Sequence, residues 1–85
     1  MLSSKVILVT GACGLLGQQI VKEIVDKNGY VLATDTNTEK ATKLFHALSS
    51  KQVKFSPMDI TDANSIDRAI AVGMKKFGSV DACVN

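Results

Sequence analysis

Three evenly spaced glycines, Gly11, Gly14 and Gly17, stand in the run Thr10-Gly11-Ala12-Cys13-Gly14-Leu15-Leu16-Gly17. A β-rich apolar run, Val6-Ile7-Leu8-Val9, precedes them. A segment with helical periodicity, Gln18 to Lys27, follows. Strand, glycine turn and helix together present backbone N–H groups and a positive helix end to a phosphate. Gly11 allows the tight turn, Gly14 lets a pyrophosphate approach the backbone, and Gly17 lets the helix pack close. Cys13, Leu15 and Leu16 belong to the same loop and are candidate contacts of a dinucleotide. Glycine spacing alone is a weak signal, because tight turns also use glycine for purely structural reasons. The strand before and the helix after are the context the motif requires.

Asp35 is the second chemical group. It ends a second apolar run, Tyr30-Val31-Leu32-Ala33-Thr34, about 20 residues beyond the glycines, where a carboxylate accepts from a ribose. Thr36 follows it in the same candidate site. A carboxylate there repels a 2′-phosphate. No Lys or Arg lies within Gly11–Gly17, and the nearest base downstream of Asp35 is Lys40. NAD is therefore expected over NADP. Asp59 and Ile60 form the third group, at the end of a third strand. There Asp59 either accepts from an adenine amino group or serves as a turn residue. Cys13 lies near a helix N-terminus, which can lower a thiol pKa. It also suits a crowded turn as a small residue. Cys83 reads as a buried small filler, and His46 as an isolated surface residue.

These groups need elements to position them. Continuous apolar runs at Lys5–Thr10 and Tyr30–Thr34 read as buried parallel strands. Val53–Ser56 alternates more, which suits an edge, and Pro57 marks its end. Val80–Val84 is a fourth strand. Helix one runs from about Gly14 to Lys27 with Leu16, Ile20, Val21, Ile24 and Val25 inward. Asn28-Gly29 stops it. Thr36 and Glu39 fit a capping box for helix two, which runs to about Leu48 with Ala41, Leu44, Phe45 and Leu48 inward. Thr61 or Asp62 caps helix three, to about Phe77, with Ile66, Ala69, Ile70, Gly73, Met74 and Phe77 inward. The result is β-α-β-α-β-α-β, an α/β chain with a parallel sheet in the order 3-2-1-4, half of a doubly wound fold.

Composition narrows the classes. An 85-residue chain forms one domain and buries only roughly 60% of its unfolded surface. Hydrophobic residues are 46% and mean hydropathy is +0.17, which suits a globular protein. Net charge is +2, with 10 basic against 8 acidic residues and no basic block beyond Lys75-Lys76. Nothing here asks for nucleic acid. No apolar run reaches the ~18 residues of a membrane helix. The four-residue run Val6–Val9 is also shorter than the ~7–15 residues of an export signal. Two cysteines without metal-ligand spacing argue against zinc and fit a reducing cytoplasm.

Thr10-Gly11-x-x-Gly14-x-x-Gly17, Asp35, Met58-Asp59-Ile60-Thr61-Asp62 and Val80-Asp81-Ala82-Cys83-Val84-Asn85 together resemble the N-terminal half of short-chain dehydrogenases/reductases. The resemblance covers the chain from Lys5 onward. It implies a Rossmann-type fold and hydride transfer between a nicotinamide and a carbonyl or alcohol carbon. It implies that Asp59-Ile60 contacts adenine and that Asn85 begins an Asn-Asn-Ala-Gly motif beside the cofactor. The glycine spacing matches the extended branch, which includes nucleotide-sugar epimerases and dehydratases. The two downstream motifs match the compact dehydrogenase branch and carry more weight. The mixture also resembles some bacterial enzymes linked to surface sugars and flagellar glycans. The family's proton donor is the Tyr of Tyr-x-x-x-Lys, whereas the single tyrosine here, Tyr30, is followed four residues later by Thr34. The chain is thus expected to be the cofactor-binding half of a longer enzyme, inactive by itself, with the small-molecule substrate pocket elsewhere. A non-catalytic NAD-binding or interaction module is the remaining alternative. An open sheet edge and a partly bare face make self-association, a homo-oligomer, the expected state.

Overall fold

Val6, Ile7, Leu8 and Val9 are apolar without a break, so the strand they form needs cover on both faces. The structure, a computed structural model that describes residues 4–85, provides that cover. All four residues are buried in β1 (Val6–Val9). Ile7 and Val9 pack with Val21, Ile24, Val31 and Ala33 on one face. Leu8 packs with Leu32, Met58 and Ala69 on the other. The other elements alternate: α1 (Leu15–Asp26), β2 (Tyr30–Asp35), α2 (Thr38–Phe45), β3 (Val53–Pro57), α3 (Ala63–Phe77) and β4 (Ala82–Val84). All strand pairs are parallel and the order is β3-β2-β1-β4, as the sequence predicts. The order reverses beside β1, the switch point where open α/β sheets bind ligands.

The inner faces of the helices differ in phase from the expected ones. Gly17, Val21 and Ile24 carry the buried stripe of α1. Leu16, expected inside, is 69% exposed. It lies one position off that stripe, in a first turn whose contact to the protein is made by Gly17. On α3 the buried stripe is Ser65, Ala69 and Gly73. Small residues let this helix lie close to the sheet, and a Cβ on Gly73 would come within 2.7 Å of Leu32 Cδ2. Ile70 and Met74, each one position beyond that stripe, turn out to 38% and 48% exposure instead of facing inward.

Two ends also differ. Asn37, not Thr36, caps α2, its Oδ1 accepting from the Lys40 amide at 3.0 Å. The reason is Asp35, which accepts from the Asn37 amide and delays the helix by a residue. The last α-helical residue of α2 is Phe45 rather than Leu48, although Leu48 still packs on the core. Asp62 caps α3 through the amides of Asn64 and Ser65. Gly78 closes that helix in the left-handed conformation, with its N–H on Met74 O. Cys83 is exposed rather than a buried filler. It pairs in register with Leu8 on the edge strand, while α3 packs over β2 and β3.

Candidate functional site

The carboxyl ends of β1, β2 and β4 meet at the glycine turn. Thr10 closes β1, with its N–H on Val84 O at 3.0 Å. Gly11 takes φ +60°, the left-handed region open to glycine. The turn is then fixed from two sides: Ala12 N donates to Thr34 O, and Gly14 N to Gly11 O, both at 3.0 Å. Gly17 sits directly on this turn, where its Cβ would lie 2.2 Å from Gly11 O. Its role is therefore close packing on the turn backbone rather than on the sheet.

Gly14 is the N-cap of α1, and no side chain caps that helix. Its first turn also lacks an acidic residue. The amides of Leu15, Leu16 and Gly17 have no intrahelical acceptor at this position. By contrast α2 and α3 carry Asn37 and Asp62 as side-chain caps. The backbone at Gly11 and Gly14 is exposed, and a Cβ on Gly14 would meet only Gly11 O, at 3.4 Å. Bare glycine backbone, uncapped amides and a helix dipole suit an anionic ligand such as a pyrophosphate.

Asp35 reaches this turn from β2. Its Oδ2 accepts from Cys13 N and its Oδ1 from Asn37 N, each at 3.0 Å. Burial acts to raise its pKa, but the amides of Asn37, Cys13 and Thr36 outweigh it and hold the carboxyl below the usual range. The group is an ionised acceptor with lone pairs to spare for a ribose. Thr36, beside it, is exposed. Cys13 is only 3% exposed, and its Sγ lies 3.7 Å from Asn37 O. Burial, then the charge of Asp35, pushes its thiol pKa up. This reverses the lowered pKa that a helix N-terminus suggests, because burial first and the neighbouring carboxylate second disfavour the thiolate. Cys13 acts through its amide, as a small residue in the turn.

Leu15 and Leu16 are 84% and 69% exposed, and Ile60 is 67% exposed. All three lie at the carboxyl end of the sheet. Asp59 follows β3, and its Oδ1 accepts from Thr61 N at 2.9 Å and from Thr61 Oγ1 at 2.7 Å. Those two bonds depress its pKa. The structure thus gives Asp59 the turn role that the sequence left open, with the carboxylate still exposed. Asn85 Oδ1 lies 3.1 Å from Thr10 Oγ1, which brings the end of β4 against the end of β1.

Two positioning residues escaped the sequence reading. Ser65 is buried, and its Oγ accepts from Asp59 N at 2.8 Å. Its signal was its place three residues after Asp62, inside the helix cap. Asp81 accepts from Val6 N through Oδ2 and donates its own N–H to Val6 O, both at 2.8 Å. It fastens β4 to β1 at the end opposite the glycine turn. The Val-Asp pair at a strand start was the only hint of it.

Comparison with known proteins identifies the family and supports the fold. The family model for short chain dehydrogenase matches residues 5–85. The chain belongs to the short-chain dehydrogenase family. It is 31% identical over 84 residues to an uncharacterized oxidoreductase of Staphylococcus aureus (strain USA300), covering 99% of this chain and 36% of that protein. It is 32% identical to post-translational flagellin modification protein A of Campylobacter coli, covering 100% of this chain and 34% of that one. It is also 32% identical to a 7alpha-hydroxysteroid dehydrogenase of Bacteroides fragilis, covering 96% and 32%. Among solved structures, a 3-ketoacyl-(acyl-carrier-protein) reductase from Brucella melitensis complexed with NADH matches with TM-score 0.91 and 25% identity, over 98% of this chain and 34% of that chain. The chain therefore spans about a third of the length of the curated relatives it matches.

Proposed function

We propose that this chain is the dinucleotide-binding part of an NAD-dependent oxidoreductase, which moves a hydride between the nicotinamide and a carbonyl or alcohol carbon. The observation that carries the reading is Asp35, drawn from the end of β2 onto the Cys13 amide of the glycine turn. The amides of Leu15, Leu16 and Gly17 would take the pyrophosphate. Gly11 and Gly14 would admit it to the backbone, with Cys13 shaping the turn. Asp35, with Thr36 beside it, would take the adenosine ribose. Asp59 and Ile60 would border the adenine, and Asn85 the ribose nearer the nicotinamide. NAD is preferred because an ionised carboxylate repels a 2′-phosphate. The bound cofactor supplies the hydride. A positioned acid must supply the proton, and no Tyr-x-x-x-Lys occurs in these 85 residues. Turnover is thus assigned to the intact protein with its small-molecule substrate, and not to this chain alone. Cytoplasmic residence suits Cys13 and Cys83, both free thiols. Among the described residues no helix is long and apolar enough to cross a membrane.

Calorimetry of the chain with NAD and NADP tests the reading. Weak binding of NAD, weaker binding of NADP, and loss of the NAD signal in Asp35→Ala are expected. NAD binding that persists unchanged in Asp35→Ala overturns the site. The glycine spacing is the one feature that favours an epimerase or dehydratase of the extended branch; the match to the short chain dehydrogenase model favours the dehydrogenase.

A further inference from the structure

Gln18 holds two successive carbonyls of the glycine turn. Its backbone N–H donates to Gly14 O at 2.9 Å, the first rung of the α1 ladder. Its side-chain Nε2 donates to Cys13 O, also at 2.9 Å. Cys13 precedes the N-cap Gly14, so its carbonyl lies outside the helix ladder. Among the described residues Gln18 is the sole donor to it. Side chains of a helix lean toward its N-terminus, which brings the amide of Gln18 back over the turn. A carbonyl only accepts, so that amide must face it with its NH2 group. The other end of the same peptide is held too, because Gly14 N donates to Gly11 O at 3.0 Å. The Cys13–Gly14 peptide is therefore pinned at both of its polar atoms. The N–H groups of Ala12 and Cys13 are also taken, by Thr34 O and Asp35 Oδ2. The uncapped amides of Leu15, Leu16 and Gly17 are what the turn leaves to an anion.

We propose that Gln18 is a positioning residue of the glycine turn: it holds the Cys13 carbonyl against α1 and keeps its lone pairs out of the space a pyrophosphate would enter. The inference deepens the pyrophosphate assignment made above and rests on it. Gly14 puts no Cβ in the way of a rotation of this peptide. Without the Gln18 side chain, only the bond from Gly14 N to Gly11 O opposes that rotation. A rotated peptide turns its carbonyl oxygen toward the exposed mouth of the turn. That oxygen is the negative end of the peptide dipole and repels an anion. Gln19 supplies the matching control. It is the same residue type one position on, exposed and without a bond to the turn.

The test is an NMR titration of the 85-residue chain with ADP, which carries a pyrophosphate, and with adenosine, which carries none. Wild type, Gln18→Met and Gln19→Met are compared, with circular dichroism confirming the fold. Methionine keeps the length and helix propensity of glutamine but lacks the donor. Gln18→Ala serves as a second variant should the methionine chain not fold. The expected result is that Gln18→Met binds ADP about three- to tenfold more weakly than wild type, the scale of one hydrogen bond. Its affinity for adenosine should not change, and Gln19→Met should match wild type with both ligands. In the ligand-free Gln18→Met chain the Cys13 carbonyl and Gly14 amide resonances should move. Unchanged ADP binding, or an equal loss for ADP and adenosine, overturns the proposal, as does loss of the fold in both Gln18 variants. If wild type binds ADP no more tightly than adenosine, the pyrophosphate assignment fails instead. The ligand-free spectra then still decide the role of Gln18: displaced Cys13 and Gly14 resonances support it, and unmoved ones overturn it.

Discussion

Gly17 has no room for a side chain, whereas Gly14 does. A Cβ on Gly17 would lie 2.2 Å from Gly11 O and 2.8 Å from Ala12 Cα, both backbone atoms that cannot move aside. Gly17→Ala should therefore cost about 3 kcal/mol, the upper range for overpacking, and lower Tm by more than about 10 °C. Gly14→Ala should cost no more than about 1 kcal/mol, the scale of an N-cap change, yet weaken NAD binding. Thermal unfolding and calorimetry on the pair separate the packing glycine from the ligand glycine. Asp35 supplies a second residue-scale expectation. Its folded pKa lies below the unfolded value, for which about 3.9 is usual. The stabilisation is present above that unfolded value and lost as pH falls through the folded one. The Tm advantage of wild type over Asp35→Asn should therefore be full at neutral pH and shrink only below about pH 4. A constant gap down to acid would contradict the bonds from Cys13 and Asn37. Spacing alone marked Asp35 and the glycines. It could not show that Asp35 spends both oxygens on amides, since one donor comes from a distant loop.

At the scale of elements, most ends are set by local chemistry and most faces are not. Asp62 and Gly78 bound α3 by a side-chain cap and a left-handed closure that short-range sequence encodes. Thr36 and Glu39 encode a competing cap for α2, but the tertiary pull of Asp35 on Asn37 moves the start. On α1 and α3 the buried stripe follows the smallest residues, Gly17, Ala69 and Gly73, because closeness to the backbone beneath decides the rotation. Hydrophobic periodicity therefore misplaced Leu16, Ile70 and Met74. The short strand β4 depends on Asp81. Asp81→Ala leaves the buried Val6 amide without its 2.8 Å acceptor and should cost about 1–3 kcal/mol, the penalty for an unsatisfied buried donor. Hydrogen exchange should show Val6 losing protection first. Unchanged exchange at Val6 would deny Asp81 this role.

For the whole molecule, the unbalanced cover of the sheet has consequences. β4 pairs with β1 alone, so it forms an edge of the sheet, with Cys83 exposed. Ile70 and Met74 add apolar surface on α3. Open edges and apolar patches favour pairing. The sedimentation coefficient of this chain should rise with concentration, and Met74→Lys should reduce the rise. A sedimentation coefficient independent of concentration would remove the self-association expectation. The alternation of strands and helices, their parallel pairing and the place of the glycine turn were determined by the sequence itself. Continuous apolar runs, glycine stops and helix caps act over a few residues and require no distant partner. Only the tertiary structure decided which helix faces are buried, that Ser65 supports Asp59, and that Asp81 ties β4 to β1. It alone decided that the carboxylate of Asp35 accepts from the Cys13 amide of the glycine turn as well as from its neighbour Asn37. Each of these depends on groups far apart in the chain meeting at hydrogen-bond or van der Waals distance, which periodicity and spacing do not encode.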